Sequence, residues 1–146
     1  TINSGLLVAI DADINVDRFN CGSFFVGSIT LDNNIYMFGD NSTGQLGINS
    51  LNRKVAIPSK VSLNTNNDHI IDVKCGSAHT IIKTAKTYYV CGDNSHKQLL
   101  IKNNDNIYEP TIIDVEYIKK HTKLDTNIID LIPTFKSTLI LQKKGE

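Results

Sequence analysis

The chain has 146 residues, 40% hydrophobic and 21% charged, which is enough apolar material to bury a core. Lysine plus arginine equals aspartate plus glutamate at 15 each, so the surplus of positive charge that neutralising many phosphates requires is missing, and direct nucleic-acid binding is disfavoured. The apolar run Leu6 to Ile10 is far shorter than the roughly 20 residues that span a bilayer and lacks the basic flank of a signal peptide.

Residues 1–15 read as the end of a preceding unit or an N-terminal strand. From Val16 the pattern becomes β-type. Phe25 to Thr30 and Ile35 to Phe38 are rich in β-branched and aromatic residues, and Asp32-Asn33-Asn34 between them suits a turn, since Asn and Asp tolerate positive φ. Gly39-Asp40-Asn41-Ser42-Thr43-Gly44-Gln45-Leu46-Gly47 follows, a polar turn whose glycines supply angles closed to other residues and whose Leu46 is expected to drop into the core. Asn41-Ser42-Thr43 also matches the N-glycosylation pattern. A long loop through Arg53, Lys54 and Pro58 completes a unit over 16–69.

The design then returns. Cys21-Gly22-Ser23 recurs as Cys75-Gly76-Ser77, Gly39 to Gly47 as Gly92-Asp93-Asn94-Ser95-His96-Lys97-Gln98-Leu99-Leu100, and Pro58 as Pro110, each 52 to 54 positions on. Ile70 to Lys74, His79 to Lys83 and Tyr88 to Cys91 supply the strands of this second unit, 70–127. Lys97 and Leu100 replace Gly44 and Gly47, so the second turn either folds differently or carries strain of about 1 kcal/mol per site. Six additional residues separate Pro110 from the next unit, placing an insertion at about 114–127. The stretch lacks an obvious cap and reads as loop. Ile128-Ile129-Asp130-Leu131 and Ser137-Thr138-Leu139-Ile140 repeat the second unit's opening, so 128–146 reads as the start of a third, and both chain ends read as cut.

A period of about 50 residues built from short strands and Gly turns is the signature of propeller blades. The expected fold is all-β, two blades plus partial blades. Two blades leave sheet faces uncovered, so further blades from the same polypeptide or other subunits are required.

The repeat also serves as an internal control on chemistry. Cys75 and His79 have the types of a metal pair or a nucleophile and base. Cys75 recurs as Cys21, but His79 corresponds to Phe25, so the positions read as packing, with His79 anchoring a strand through a ring nitrogen. Cys91 aligns with Phe38 and reads as a small hydrophobe. Asp40 and Asp93 read as turn-formers that bond nearby amides. Gln45 stands where a phosphate loop needs Lys. No catalytic residue, metal or cofactor is assigned. The least bland feature is Lys119-Lys120-His121-Thr122-Lys123 in the insertion, a candidate surface for an acidic protein partner, with Arg53 and Lys54 as weaker companions. Three cysteines, an odd number within strand patterns, point to a reducing, intracellular setting, nuclear or cytoplasmic.

Cys75-Gly76-Ser77-Ala78-His79-Thr80 and the Gly39 to Gly47 turn together resemble the repeat of the regulator of chromosome condensation family, from about Val16 to the end. The resemblance implies a seven-bladed propeller in the complete protein. The structural repeat positions are Cys21, Gly22, Gly39, Asn41, Gly44, Gln45, Leu46, Gly47, Cys75, Gly76, His79, Gly92, Asn94, Gln98 and Leu99. The family includes an exchange factor for a small GTPase and many members that only hold partners. The expected function is therefore a non-enzymatic interaction module whose loops on one rim bind a protein. The alternatives are guanine-nucleotide exchange on a small GTPase and a structural subunit whose propeller other chains complete. The light-sensing members need Trp clusters, and this chain has no Trp.

Overall fold

The computed structural model describes residues 13–122, 124 and 128–143. Alternating β-formers fold into β1 (Val16–Cys21), β2 (Phe25–Thr30), β3 (Ile35–Asp40) and β4 (Lys54–Lys60), one antiparallel sheet in sequential order. The second sheet repeats it with β5 (Ile70–Cys75), β6 (His79–Thr84), β7 (Tyr88–Gly92) and β8 (Ile107–Ile112). A helix, α1 (Val115–Thr122), leads to β9 (Ile128–Pro133) and β10 (Thr138–Gln142), a two-stranded antiparallel pair. The fold is all-β apart from α1, two propeller blades and the beginning of a third. The first strands lie side by side, β1 against β5 and β5 against β9, while β4 and β8 form the outer edges.

Apolar faces meet between consecutive blades. Phe25, Ile29, Ile35, Met37 and Leu46 of the first unit pack with Ile70, Val73 and Ile82 of the second, and Leu46 is fully buried as expected. Ile81, Val90, Leu99 and Ile118 pack in the same way with Leu131 of the third. The core of each seam therefore belongs to two blades at once, and apolar burial is what couples them.

Two features differ from the sequence reading. Each blade has a fourth strand where a long loop was expected, and Lys54 opens β4 rather than lying in a loop. Pro58 and Pro110 argue against a strand, but β4 and β8 are edge strands, where a missing N–H facing outward costs no ladder bond. The insertion is helical, not loop. Asp114 caps it, its Oδ1 accepting the Tyr117 N–H at 2.9 Å while its carbonyl accepts the Ile118 N–H at 3.0 Å. Ile118 then buries against the second core, which supplies the tertiary packing that a short helix needs.

Candidate functional site

Each Gly turn is built by one carboxylate and two side-chain amides. Asp40 accepts from the Ser42 N–H at 3.2 Å and the Gln45 side-chain amide at 2.9 Å, and Asp93 accepts from the Ser95 N–H at 2.9 Å and the Gln98 amide at 2.8 Å. The turn reading of both aspartates holds. Burial pushes the Asp93 carboxyl up, but the Ser95 and Gln98 hydrogen bonds outweigh it and hold the group below the usual carboxylate range. Asn41 is buried, donating to the Ser50 and Asn52 carbonyls and accepting from the Leu46 N–H, so the glycosylation pattern is occupied by structural hydrogen bonds. Asn94 makes the matching bonds to the Asn103 carbonyl and the Leu99 N–H.

The second turn keeps the shape of the first and accepts the strain. Gly44 and Gly47 have φ of 86° and 62°, and Lys97 and Leu100 adopt 62° and 56° at the equivalent places. Lys97 uses the geometry to donate through Nζ to the Lys102 and Asn103 carbonyls.

Each turn seats on the next blade. The Thr80 hydroxyl donates to the Gln45 carbonyl at 2.6 Å, and Thr138 donates to the Gln98 carbonyl at 2.6 Å. His79 is fully buried at the next seam, its Nε2 meeting Thr138 Oγ1 at 3.2 Å while Nδ1 has no hydrogen-bond partner among the described residues. Burial pulls its pKa down to about 4, only partly offset by the Asp93 carboxylate, so the ring is neutral near pH 7. Gly76 lies under that ring, and Gly22 lies under the ring of Phe25 in the same way. Burial raises the thiols of Cys75 and Cys91 to about 12, which makes both poor nucleophiles. Cys21 is exposed, and all three cysteines are free. Among the described residues no group of three or more metal-ligating side chains comes together, and no helix is long and apolar enough to cross a membrane.

The basic candidates divide between two places. Lys54 pairs with Asp40, so Arg53 and Lys54 lie at the end of the sheet from which the Gly turns leave. Ile112 pairs with Tyr89, so α1 leaves β8 at the other end. The structure does not bring the two clusters onto one rim. On α1, Glu116 pairs with Lys119 at 3.2 Å, the Tyr117 and His121 rings stack 4.1 Å apart, and Lys120 is exposed without an ion pair among the described residues. Asp114, Tyr117, Lys120 and His121 line an open cavity of about 390 Å³ together with Lys102 and Glu116. Lys123 lies outside the described residues.

Comparison with known proteins agrees with this geometry. The regulator of chromosome condensation (RCC1) repeat matches residues 32–82. Serine/threonine-protein kinase Nek9 of Xenopus laevis is 31% identical over 104 residues, 70% of this chain and 11% of that protein. The mouse X-linked retinitis pigmentosa GTPase regulator is 33% identical over 98 residues, 60% of this chain and 9% of the relative. The RCC2 homolog of Xenopus laevis is 32% identical over 98 residues, 66% of this chain and 18% of the relative. The chain thus spans less than a fifth of each. Among solved structures, human WBSCR16 superposes with a TM-score of 0.73 at 18% identity, covering 94% of this chain and 33% of that one. Yeast RCC1 bound to Kap60 gives 0.73 at 16% identity, covering 88% of this chain and 30% of that one.

Proposed function

Because this chain belongs to the family of regulator of chromosome condensation repeats, we propose that it is a non-enzymatic protein-interaction module, acting inside the cell, whose α1 rim holds an acidic partner. The observation that carries this reading is α1 itself. It is the backbone feature that the second unit has and the first lacks, it is fixed by the Asp114 cap and Ile118, and it presents Lys119, Lys120 and His121 outward. Insertions in repeat proteins map to surface loops, often on the binding face. With Lys119 engaged by Glu116, Lys120 is the cation freest to meet a partner carboxylate, and such rim charges act mainly on association rate and salt dependence. The test uses the full-length polypeptide and the protein that co-purifies with it. Lys119→Glu with Lys120→Glu lowers affinity about tenfold at low salt, whereas Arg53→Glu with Lys54→Glu on the other rim leaves it unchanged. Equal losses from both pairs, or none from either, withdraw the reading.

A second reading, guanine-nucleotide exchange on a small GTPase, is favoured by relatives' names. One is a GTPase regulator, and the yeast structure of Prp20p is described with its binding to Gsp1p and histones. Release of labelled GDP from small GTPases by the full-length polypeptide tests it directly. A third reading, a subunit completed by other chains, is favoured by the exposure of large apolar side chains such as Phe19 and Phe24.

A further inference from the structure

The loop from Leu100 to Asn103 and the helix α1 form the walls of one cavity, and backbone ties hold them together. The Asp114 N–H donates to the Leu100 carbonyl at 3.4 Å, and Lys97 Nζ donates to the Lys102 carbonyl at 2.8 Å, so the loop is fixed against the cap of the helix. The cavity of about 390 Å³ is lined by Lys102 from the loop and by Asp114, Glu116, Tyr117, Lys120 and His121 from the helix and its cap. Both carboxylates are engaged, Asp114 in capping α1 and Glu116 with Lys119. Lys102 and Lys120 are exposed and have no ion pair among the described residues. His121 Nδ1 lies 2.8 Å from the Tyr117 carbonyl, which can only accept, so Nδ1 carries the proton and the neutral ring keeps its lone pair on Nε2. Stacking on Tyr117, at 4.1 Å between ring centres, holds that orientation. The first unit has neither wall: the repeat sets Asn49 against Lys102, and β4 leads to β5 without a helix.

We propose that this cavity seats a phosphorylated serine or threonine side chain of the partner, its phosphate held by Lys102 and Lys120 from the two walls and by His121 Nε2. The proposal rests on the reading of α1 as the partner rim and names what that rim recognises. Charge selects the occupant. A phosphate monoester carries about −1.5 to −2 and three strong acceptor oxygens, enough for three nitrogen groups, whereas a single carboxylate brings one charge and two oxygens. Several partner carboxylates would supply the charge, but spread along the helix they would meet Asp114 and Glu116 on the same lining. The lone pair on Nε2 selects further. A phosphate monoester, whose second proton leaves at about pH 6, brings a proton that this nitrogen can share, and a carboxylate at neutral pH brings none.

The test titrates the full-length polypeptide with three fluorescent peptide pools, degenerate except for a central phosphoserine, serine or glutamate. The phosphoserine pool binds about tenfold tighter than the glutamate pool and tighter still than the serine pool, and Lys102→Ala and His121→Asn each weaken it about fivefold while leaving the serine pool unchanged. Equal binding of the phosphoserine and glutamate pools overturns the proposal, and so does indifference of the phosphoserine pool to Lys102→Ala. Lys102 lies off α1, so the two readings fail separately. If the pools fail in either way while Lys119→Glu with Lys120→Glu still weakens the co-purifying protein, the acidic-partner reading stands and this one falls. If the phosphoserine pool binds through Lys102 and His121 but the co-purifying protein ignores Lys119 and Lys120, the phosphate seat stands and the assignment of that protein to α1 falls.

Discussion

The first and second blades adopt one backbone with different residues, and the differences fall into two kinds. At some positions the shape is kept and the chemistry changed: Phe25 becomes His79, Val26 becomes Thr80, Gly44 becomes Lys97, and the strands and turns still superimpose in register. At others the backbone itself departs, as where the connection after β8 becomes α1. The first kind shows that repeat positions serve packing, since a group with a unique chemical duty could not be exchanged for hydrocarbon in the neighbouring blade. The second kind changes the surface while still serving a seam: α1 buries Ile118 in the second core and leaves Lys120 exposed.

The comparison breaks most severely where both blades agree. A methyl at Gly76 would lie 2.5 Å from His79 Cε1 and 2.7 Å from the Thr134 carbonyl, and one at Gly22 would meet the Phe25 ring and lie 2.6 Å from the Gly76 carbonyl. The obstacles include backbone of the following blade, which cannot move aside without opening the seam. Gly76→Ala and Gly22→Ala should each cost about 3 kcal/mol, read as a fall in the urea midpoint without change in slope. If either is tolerated within 1 kcal/mol or so, the rings are not packed as described.

His79 sharpens the comparison through pH. The unfolded imidazole titrates near 6.5 and the folded one near 4, so the unfolded state takes up its proton first as pH falls. The stability from keeping the ring neutral is complete above about 6.5 and is lost progressively as the pH drops towards 4, amounting to about 3 kcal/mol. His79→Phe installs the first blade's residue, which has no charge to gain. The variant should lose less stability than the native chain between pH 7 and pH 4, while acid loss from Asp93 and Asp130 is common to both. Urea unfolding of the pair across that range measures it, and parallel pH curves would show that His79 is already hydrated.

Much of this pairing was legible in the sequence because it rests on local rules. Asn33 reads as a turn residue and has φ of 63°, and Leu46 is buried where the repeat places it, whereas the burial of Gln45 is not signalled by its polar turn. What could not be read depends on distant partners. Pro58 and Pro110 conceal edge strands, since only the sheet order shows that their missing N–H lies on an outer edge. Asp114 is an ordinary helix cap, hidden because the stretch before it reads from sequence as loop although Ile107–Ile112 is a strand. That Arg53 and Lys54 lie at the opposite end from α1 follows from the pairings Asp40 with Lys54 and Tyr89 with Ile112, which no local pattern encodes. The Thr80 bond to the Gln45 carbonyl, 35 residues away, is of the same kind.

The smallest expected effect tests whether the second turn is strained or merely different. Lys97 at φ 62° occupies the region that side chains other than glycine and asparagine enter at a cost of about 1 kcal/mol. Its two Nζ hydrogen bonds to the Lys102 and Asn103 carbonyls are exposed and return little. Lys97→Gly removes the strain and increases the freedom of the unfolded chain, so the two terms oppose. The strain term is the larger, and the variant should gain about 0.5 kcal/mol, read as a small rise in melting point. Leu100→Gly, by contrast, relieves a φ of 56° but strips a side chain packed against the second core, and should be destabilising despite the same backbone relief. Opposite signs at two positions with the same backbone angle would separate conformational strain from packing within a single turn.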